Sequence, residues 1–165
     1  MTNIEVKDVA VPGQQAHPEV FPYILTPAGK TPTLEETLNW AKATRDQHVE
    51  TLSRHGAILF RGFPIVDAND FDAFIRSFGL GSFTYEESLS NAVRINKTDL
   101  VFTANEAPKD VSIFLHHEMA QTPLFPSRLF FCCTQAPDER GQTPLCRSDV
   151  VLQRLEAADP DFVRA

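Results

Sequence analysis

Ser112-Ile113-Phe114-Leu115-His116-His117-Glu118-Met119 is an apolar stretch that runs into three ionisable side chains. Read as a strand, it sends successive side chains to opposite faces, so His116 and Glu118 share one face and His117 takes the other. The helical alternative fails on spacing. The HExxH pattern, with two His on one helix face, would need His at position 121, where Gln121 stands. The same period-two character extends outward through Val93 to Asn96, Leu100 to Thr103 and Arg128 to Thr134, divided by Asn, Pro, Lys and Asp. These features predict a mostly β second half.

Upstream the periodicity is helical. Thr33 followed by Glu36 is a capping-box signature, and Leu34, Leu38, Ala41, Val49 and Leu52 follow one stripe toward Gly56, a natural left-handed cap. Ala57 to Phe60, bounded by glycines, reads as a buried strand. Asp67 caps a second helix with Phe71, Phe74, Ile75 and Phe78 at i, i+3, i+4 and i+7, closed by Gly79 and Gly81. Residues 1–32, with Pro12, Pro18, Pro22 and Pro27, read as an extended arm or edge strand. After a turn at Pro137 to Gly141, Ser148 is placed to cap a helix through about Leu155, and Asp159-Pro160 opens another.

The 165 residues, 42% hydrophobic with 13 Phe, suffice for one core, and residues 33–165 read as a single unit. A net charge of -7 with no basic run disfavours nucleic acid and anionic membranes as partners. No 18 apolar residues run together, and the N-terminus lacks the pattern of a signal peptide, so a soluble, cytoplasmic protein is expected. Of the 3 Cys, Cys132 and Cys133 are adjacent, and buried free thiols in a reducing compartment are the expectation, since paired zinc spacings are absent.

An imidazole and a carboxylate projecting from one strand face can reach one ion, as in the two-His, one-carboxylate facial triad of non-haem iron(II) oxygenases. Taken alone, such a triplet is weak evidence, because a strand-end His is more commonly an ordinary hydrogen-bonded residue than a ligand. The surroundings add to it. LHHEMAQTPLFPSRLFFCC, followed by AP, a turn and GQTPLCRS, together with VFTANEAPKDVSIF, GAILFRGFPI and FDAFIRSFG upstream, resembles the taurine dioxygenase-like (TauD/TfdA) family over roughly residues 50 to 155. The His-x-Glu form of the motif is similar to the branch containing clavaminate synthase and hydroxylases of peptide-antibiotic pathways.

This resemblance implies a mainly β fold with flanking helices, a partial double-stranded β-helix or jelly roll of the clavaminate synthase-like kind. It implies iron(II) held by His116 and Glu118, and 2-oxoglutarate as co-substrate with its distal carboxylate against the Thr143 hydroxyl. It further implies O2 and a small acid or amino acid, free or carrier-tethered, as substrates. Arg140 stands where the family usually has a Gly. Arg94, Asn105 and Arg147 are polar residues without an assigned role, and His17, His48 and His55 are too remote to be preferred ligands.

The family's distal His and following Arg have no counterpart, because no His follows residue 117. The chain is therefore expected to be the amino-terminal part of a dioxygenase domain, poorly soluble and inactive by itself. Two other readings stay open: a non-catalytic fragment or degenerate paralogue acting as an interaction module, and a zinc hydrolase using His116 and Glu118.

Overall fold

A computed structural model describes residues 4–82, 94–104, 108, 110–139 and 141–164. Strand β1 (Val6–Asp8) pairs antiparallel with β4 (Tyr23–Pro27), Val6 opposite Pro27. On the other side of β4 lies β5 (Ile58–Phe60), parallel, with Tyr23 opposite Ile58. The sheet order β1-β4-β5 makes β4 central, and its Ile24 is fully buried. Between β1 and β4, β2 (Gln15–Ala16) and β3 (Val20–Phe21) form a small antiparallel ribbon.

A parallel pair needs a crossover. The helix predicted from Thr33 to Gly56 supplies it, broken into α1 (Leu34–Ala43) and α2 (Arg45–His55). The capping box forms as predicted: Glu36 N–H donates to the Thr33 hydroxyl at 3.2 Å, and Thr33 N–H donates to the Glu36 carboxylate at 2.7 Å. The break falls at Thr44, with φ -106° and ψ 14°. Its hydroxyl donates to the Trp40 carbonyl at 2.7 Å, and this competition from a β-branched hydroxyl residue bends helices. Gly56 closes α2 at φ 80°, its N–H donating to Leu52 O at 2.7 Å.

Helix α3 (Ala68–Ser77) starts where Asp67 accepts hydrogen bonds from the Asn69 and Asp70 amides. Its Phe74, with Phe78 just beyond it, meets Trp40, Ala41, Leu25 and Ile4 in the core. Phe60 stands edge-on to Phe74, ring centroids 5.4 Å apart, and Trp40 stacks on Phe63 at 5.1 Å. Such aromatic pairs add about 0.5–1.5 kcal/mol each beyond the area they bury.

Strand pairing in the second half is sparse among the described residues. Asn96 and Phe102 form an isolated antiparallel bridge, and from 110 to 147 no strand is present. The strands predicted over Ser112 to Met119 and Arg128 to Thr134 are thus not formed there. A strand exists only when its amide and carbonyl groups meet a neighbour's, and alternating apolar residues do not supply one. Phe114, at 82% exposure, Phe125 and Phe131 lie at the surface, while Phe130 packs on Phe78 at 5.5 Å.

Helix α4 (Ser148–Ala158) begins one residue earlier than a Ser148 cap would allow, with Arg147 at the cap position. The short α5 (Pro160–Arg164) follows as predicted, with Asp159 accepting from Phe162 N–H at 3.0 Å. Among the described residues no helix is long and apolar enough to cross a membrane. The Cys are free, but Cys133 and Cys146 are exposed and Cys132 half-buried, since the segments that carry them have no covering layer among the described residues.

Candidate functional site

His116 and Glu118 converge: His116 Nε2 lies 3.6 Å from Glu118 Oε2. The other ring nitrogen, Nδ1, is 2.7 Å from the Phe114 carbonyl oxygen and must donate to it, because a carbonyl only accepts. In the neutral ring Nε2 then carries the lone pair and faces a carboxylate oxygen. Two electron-rich atoms held at that separation leave space suited to a cation. Ligand atoms about 2.1 Å from one ion at right angles stand about 3 Å apart, so the observed gap closes onto an ion with a shift of a few tenths of an ångström. A His that gives its second N–H to a backbone carbonyl is also how metal-bound imidazoles are commonly oriented. The pair therefore fits a divalent metal.

The backbone turns sharply after this pair. Met119 takes φ 59°, a left-handed conformation that costs a non-glycine residue roughly 1–2 kcal/mol, and its side chain is buried. Thr122 N–H donates to Met119 O at 3.0 Å, closing the turn. His117 points elsewhere: its Nε2 lies 2.6 Å from Ser148 Oγ at the start of α4. Ser148 thus engages His117 instead of capping its helix.

Arg94, left without a role by the sequence, pairs with Glu118. Its guanidinium donates to Glu118 Oε1 at 2.8 Å and to the Thr103 carbonyl at 3.4 Å, and it lies over the Phe102 ring, 5.3 Å from the centroid. Both members of the ion pair are shielded, with side-chain exposures of 12% and 22%. The available signal was a single Arg set between Val93 and Ile95 in an apolar run.

Thr143 lies exposed on the stretch leading into α4. Gly141, two residues before it, has φ 72°, and a Cβ there would come within 2.6 Å of Pro137 Cγ, so this turn requires glycine. No hydrogen bond among the described residues joins Thr143 to His116 or Glu118. Arg140 and Asn105 lie outside the described residues. Arg147 is a structural tie: it pairs with Asp149 and donates to the Arg54 carbonyl at 3.3 Å, joining α4 to the end of α2. His48 and His55 are framework residues, His48 packed between Trp40 and Phe60, His55 bonded through Nδ1 to Val20 O at 2.8 Å. Among the described residues no group of three or more His, Cys, Asp or Glu is clustered to hold a metal, and what those residues bring together is the two-donor pair.

Comparison with known proteins gives the same direction. A clavaminate synthase-like protein of Arabidopsis thaliana, At3g21360, is 37% identical over 174 residues, covering 99% of this chain and 51% of the relative. The dapdiamide synthesis protein DdaC of Enterobacter agglomerans is 31% identical over 107 residues, covering 65% of this chain and 32% of the relative. The chain thus spans about half the length of the first relative and about a third of the second. The family described as taurine catabolism dioxygenase TauD, TfdA matches residues 24–165. That match starts at the central strand β4, upstream of the resemblance read from the sequence, and runs through the His116–Glu118 segment to α5, so the chain belongs to the TauD/TfdA dioxygenase family.

Proposed function

We propose that the protein carrying this chain is an iron(II)- and 2-oxoglutarate-dependent dioxygenase that hydroxylates a small acid or amino-acid-type substrate, free or carrier-tethered. Residues 1–32 are no separate arm, since β4 (Tyr23–Pro27) is the central strand and Ile4 and Leu25 lie in the core; together with residues 33–165 they form, in this reading, the amino-terminal part of its domain, a double-stranded β-helix of the clavaminate synthase-like kind. The observation that carries the proposal is the convergence of His116 Nε2 and Glu118 Oε2 with Nδ1 already engaged by Phe114 O. Its chemistry suits a facial triad: a neutral nitrogen donor and an anionic oxygen donor on one side of the ion leave the opposite side for co-substrates.

Iron(II), when bound, would supply the chemistry by which O2 oxidises 2-oxoglutarate with loss of CO2 and hydroxylates an unactivated C–H bond, one oxygen atom of O2 going to each product. The protein's part is to bind and orient. Glu118 offsets one of the two positive charges of the ion, and His116 adds a donor without adding charge. The Thr143 hydroxyl donates to the distal carboxylate of 2-oxoglutarate, fixing an anion that also needs a cationic clamp. The relatives' names, one clavaminate synthase-like and one for dapdiamide synthesis, support a small-molecule substrate. Three free thiols support a reducing, cytoplasmic setting.

Anaerobic titration of the intact protein with iron(II) and 2-oxoglutarate is expected to raise a weak visible charge-transfer band that His116→Ala and Glu118→Ala both abolish. A parent protein without the band, or a His116→Ala variant that keeps it, would count decisively against this function.

A further inference from the structure

We propose that Arg94 is a positioning residue for the metal centre: it grips Glu118 Oε1 and thereby presents Oε2 alone to the ion. The inference rests on the reading of His116 and Glu118 as metal ligands, and goes beyond it to a residue 24 positions away in the chain.

A carboxylate can bind a cation through one oxygen or both. Here the two oxygens have different partners: Oε1 takes an N–H from Arg94 at 2.8 Å, and Oε2 faces His116 Nε2 at 3.6 Å. Charge-assisted hydrogen bonds of this kind are about twice as strong as neutral ones, so engagement of Oε1 by the metal would have to displace one of the stronger contacts in this part of the molecule. The guanidinium is itself oriented by the Phe102 ring and the Thr103 carbonyl, both on the segment that Thr103 N–H anchors to Ile95 O at 2.9 Å. Arg94 therefore acts from a braced position, and its planar fork does what a Lys ammonium, a single mobile point charge, does less well. Held this way, Glu118 approaches the ion as a one-oxygen ligand and leaves a coordination position that a two-oxygen carboxylate would occupy.

Partners that orient a metal ligand typically change metal affinity by about 10–100-fold when removed. The intact protein is to be titrated anaerobically with cobalt(II), a spectroscopic stand-in for iron(II), alongside Arg94→Met, Arg94→Lys and His116→Ala. Arg94→Met keeps an apolar side chain over Phe102 but gives no hydrogen bond to Glu118. It is expected to bind cobalt(II) about 10–100-fold more weakly and to shift the visible cobalt bands, as a two-oxygen carboxylate changes the coordination number. Arg94→Lys is expected to recover part of the affinity, which loss of packing alone would not produce. Parental affinity and parental spectrum in Arg94→Met, with binding abolished in His116→Ala, would overturn the role of Arg94 while leaving the metal site standing. Undiminished binding in His116→Ala would remove the metal reading and this inference with it.

Discussion

At the scale of single residues, the polar groups of this chain divide into those that work on the framework and those that face one another across a gap. His48 belongs to the first kind. Its ring is buried between Trp40, Phe60 and Phe78, and burial pushes its pKa down from 6.5 to about 4. The Thr44 hydroxyl spends its one hydrogen on Trp40 O, so His48 Nε2, 2.9 Å away, must donate to it. That bond is open to the neutral and the protonated ring alike; it is burial that favours the neutral ring in the folded chain. Above pH 6.5 folded and unfolded chains carry the same neutral His; below it only the unfolded chain gains a proton, until about pH 4. Stability from this group is therefore lost as pH falls from 6.5 to 4, by up to about 3 kcal/mol. Urea denaturation across that range should show a steep acid-side decline in the parent and a shallower one in His48→Gln; equal slopes would contradict this account. His116, by contrast, was singled out by the His-x-Glu spacing, which is a local property, although the strand expected to carry it is not formed. Arg94 was not, because an Arg in an apolar run has no local feature that names its partner.

At the scale of elements, capping chemistry was readable and breaks were not. The starts at Thr33 and Asp67 and the stop at Gly56 are each encoded within four residues, and all three form as read. The break at Thr44 depends on a hydroxyl choosing the Trp40 carbonyl in a crowded interior, which a stripe of apolar residues does not register. A second unannounced feature lies on α3. Asp72, on the helix but buried, accepts from Arg76 and from the Thr98 hydroxyl, and these hydrogen bonds hold its carboxyl below the usual carboxylate range, Arg76 contributing most. Thr98 Oγ1 in turn accepts from the Leu100 and Val101 amides, so one carboxylate ties α3 to the segment that carries Phe102 and Thr103. Asp72→Asn is expected to lower stability by about 1–3 kcal/mol in thermal or denaturant unfolding. Because that segment braces Arg94, the same variant should also weaken cobalt(II) binding in the intact protein; an unchanged midpoint would show that the tie carries no weight.

On the scale of the whole molecule, the described residues form a packed first half, with β4 at the centre of its sheet and Trp40, Phe74 and Phe78 beneath it, and a second half whose apolar side chains stand largely uncovered. Phe114, Phe125 and Phe131 are each largely exposed, among many uncovered large apolar side chains in this half. A polypeptide of residues 1–165 is accordingly expected to enhance the fluorescence of a hydrophobic dye, and Phe114→Ser combined with Phe131→Ser to reduce that signal and raise solubility. Dye fluorescence no higher than that of a well-packed globular control would contradict the exposure of these side chains. The family, the helix caps at Thr33, Asp67 and Gly56, the β5 run and the choice of His116 and Glu118 as candidates were legible in the sequence alone, since each depends on spacing within a few residues or on the order of motifs along the chain. Only the tertiary structure decided that a segment of the first thirty residues is the central strand, that one helix is two, that apolar alternation after residue 110 does not make a ladder among the described residues, and that Arg94 grips Glu118. Each of these depends on which distant groups meet, and a backbone amide or a guanidinium carries no local mark of the acceptor it will find.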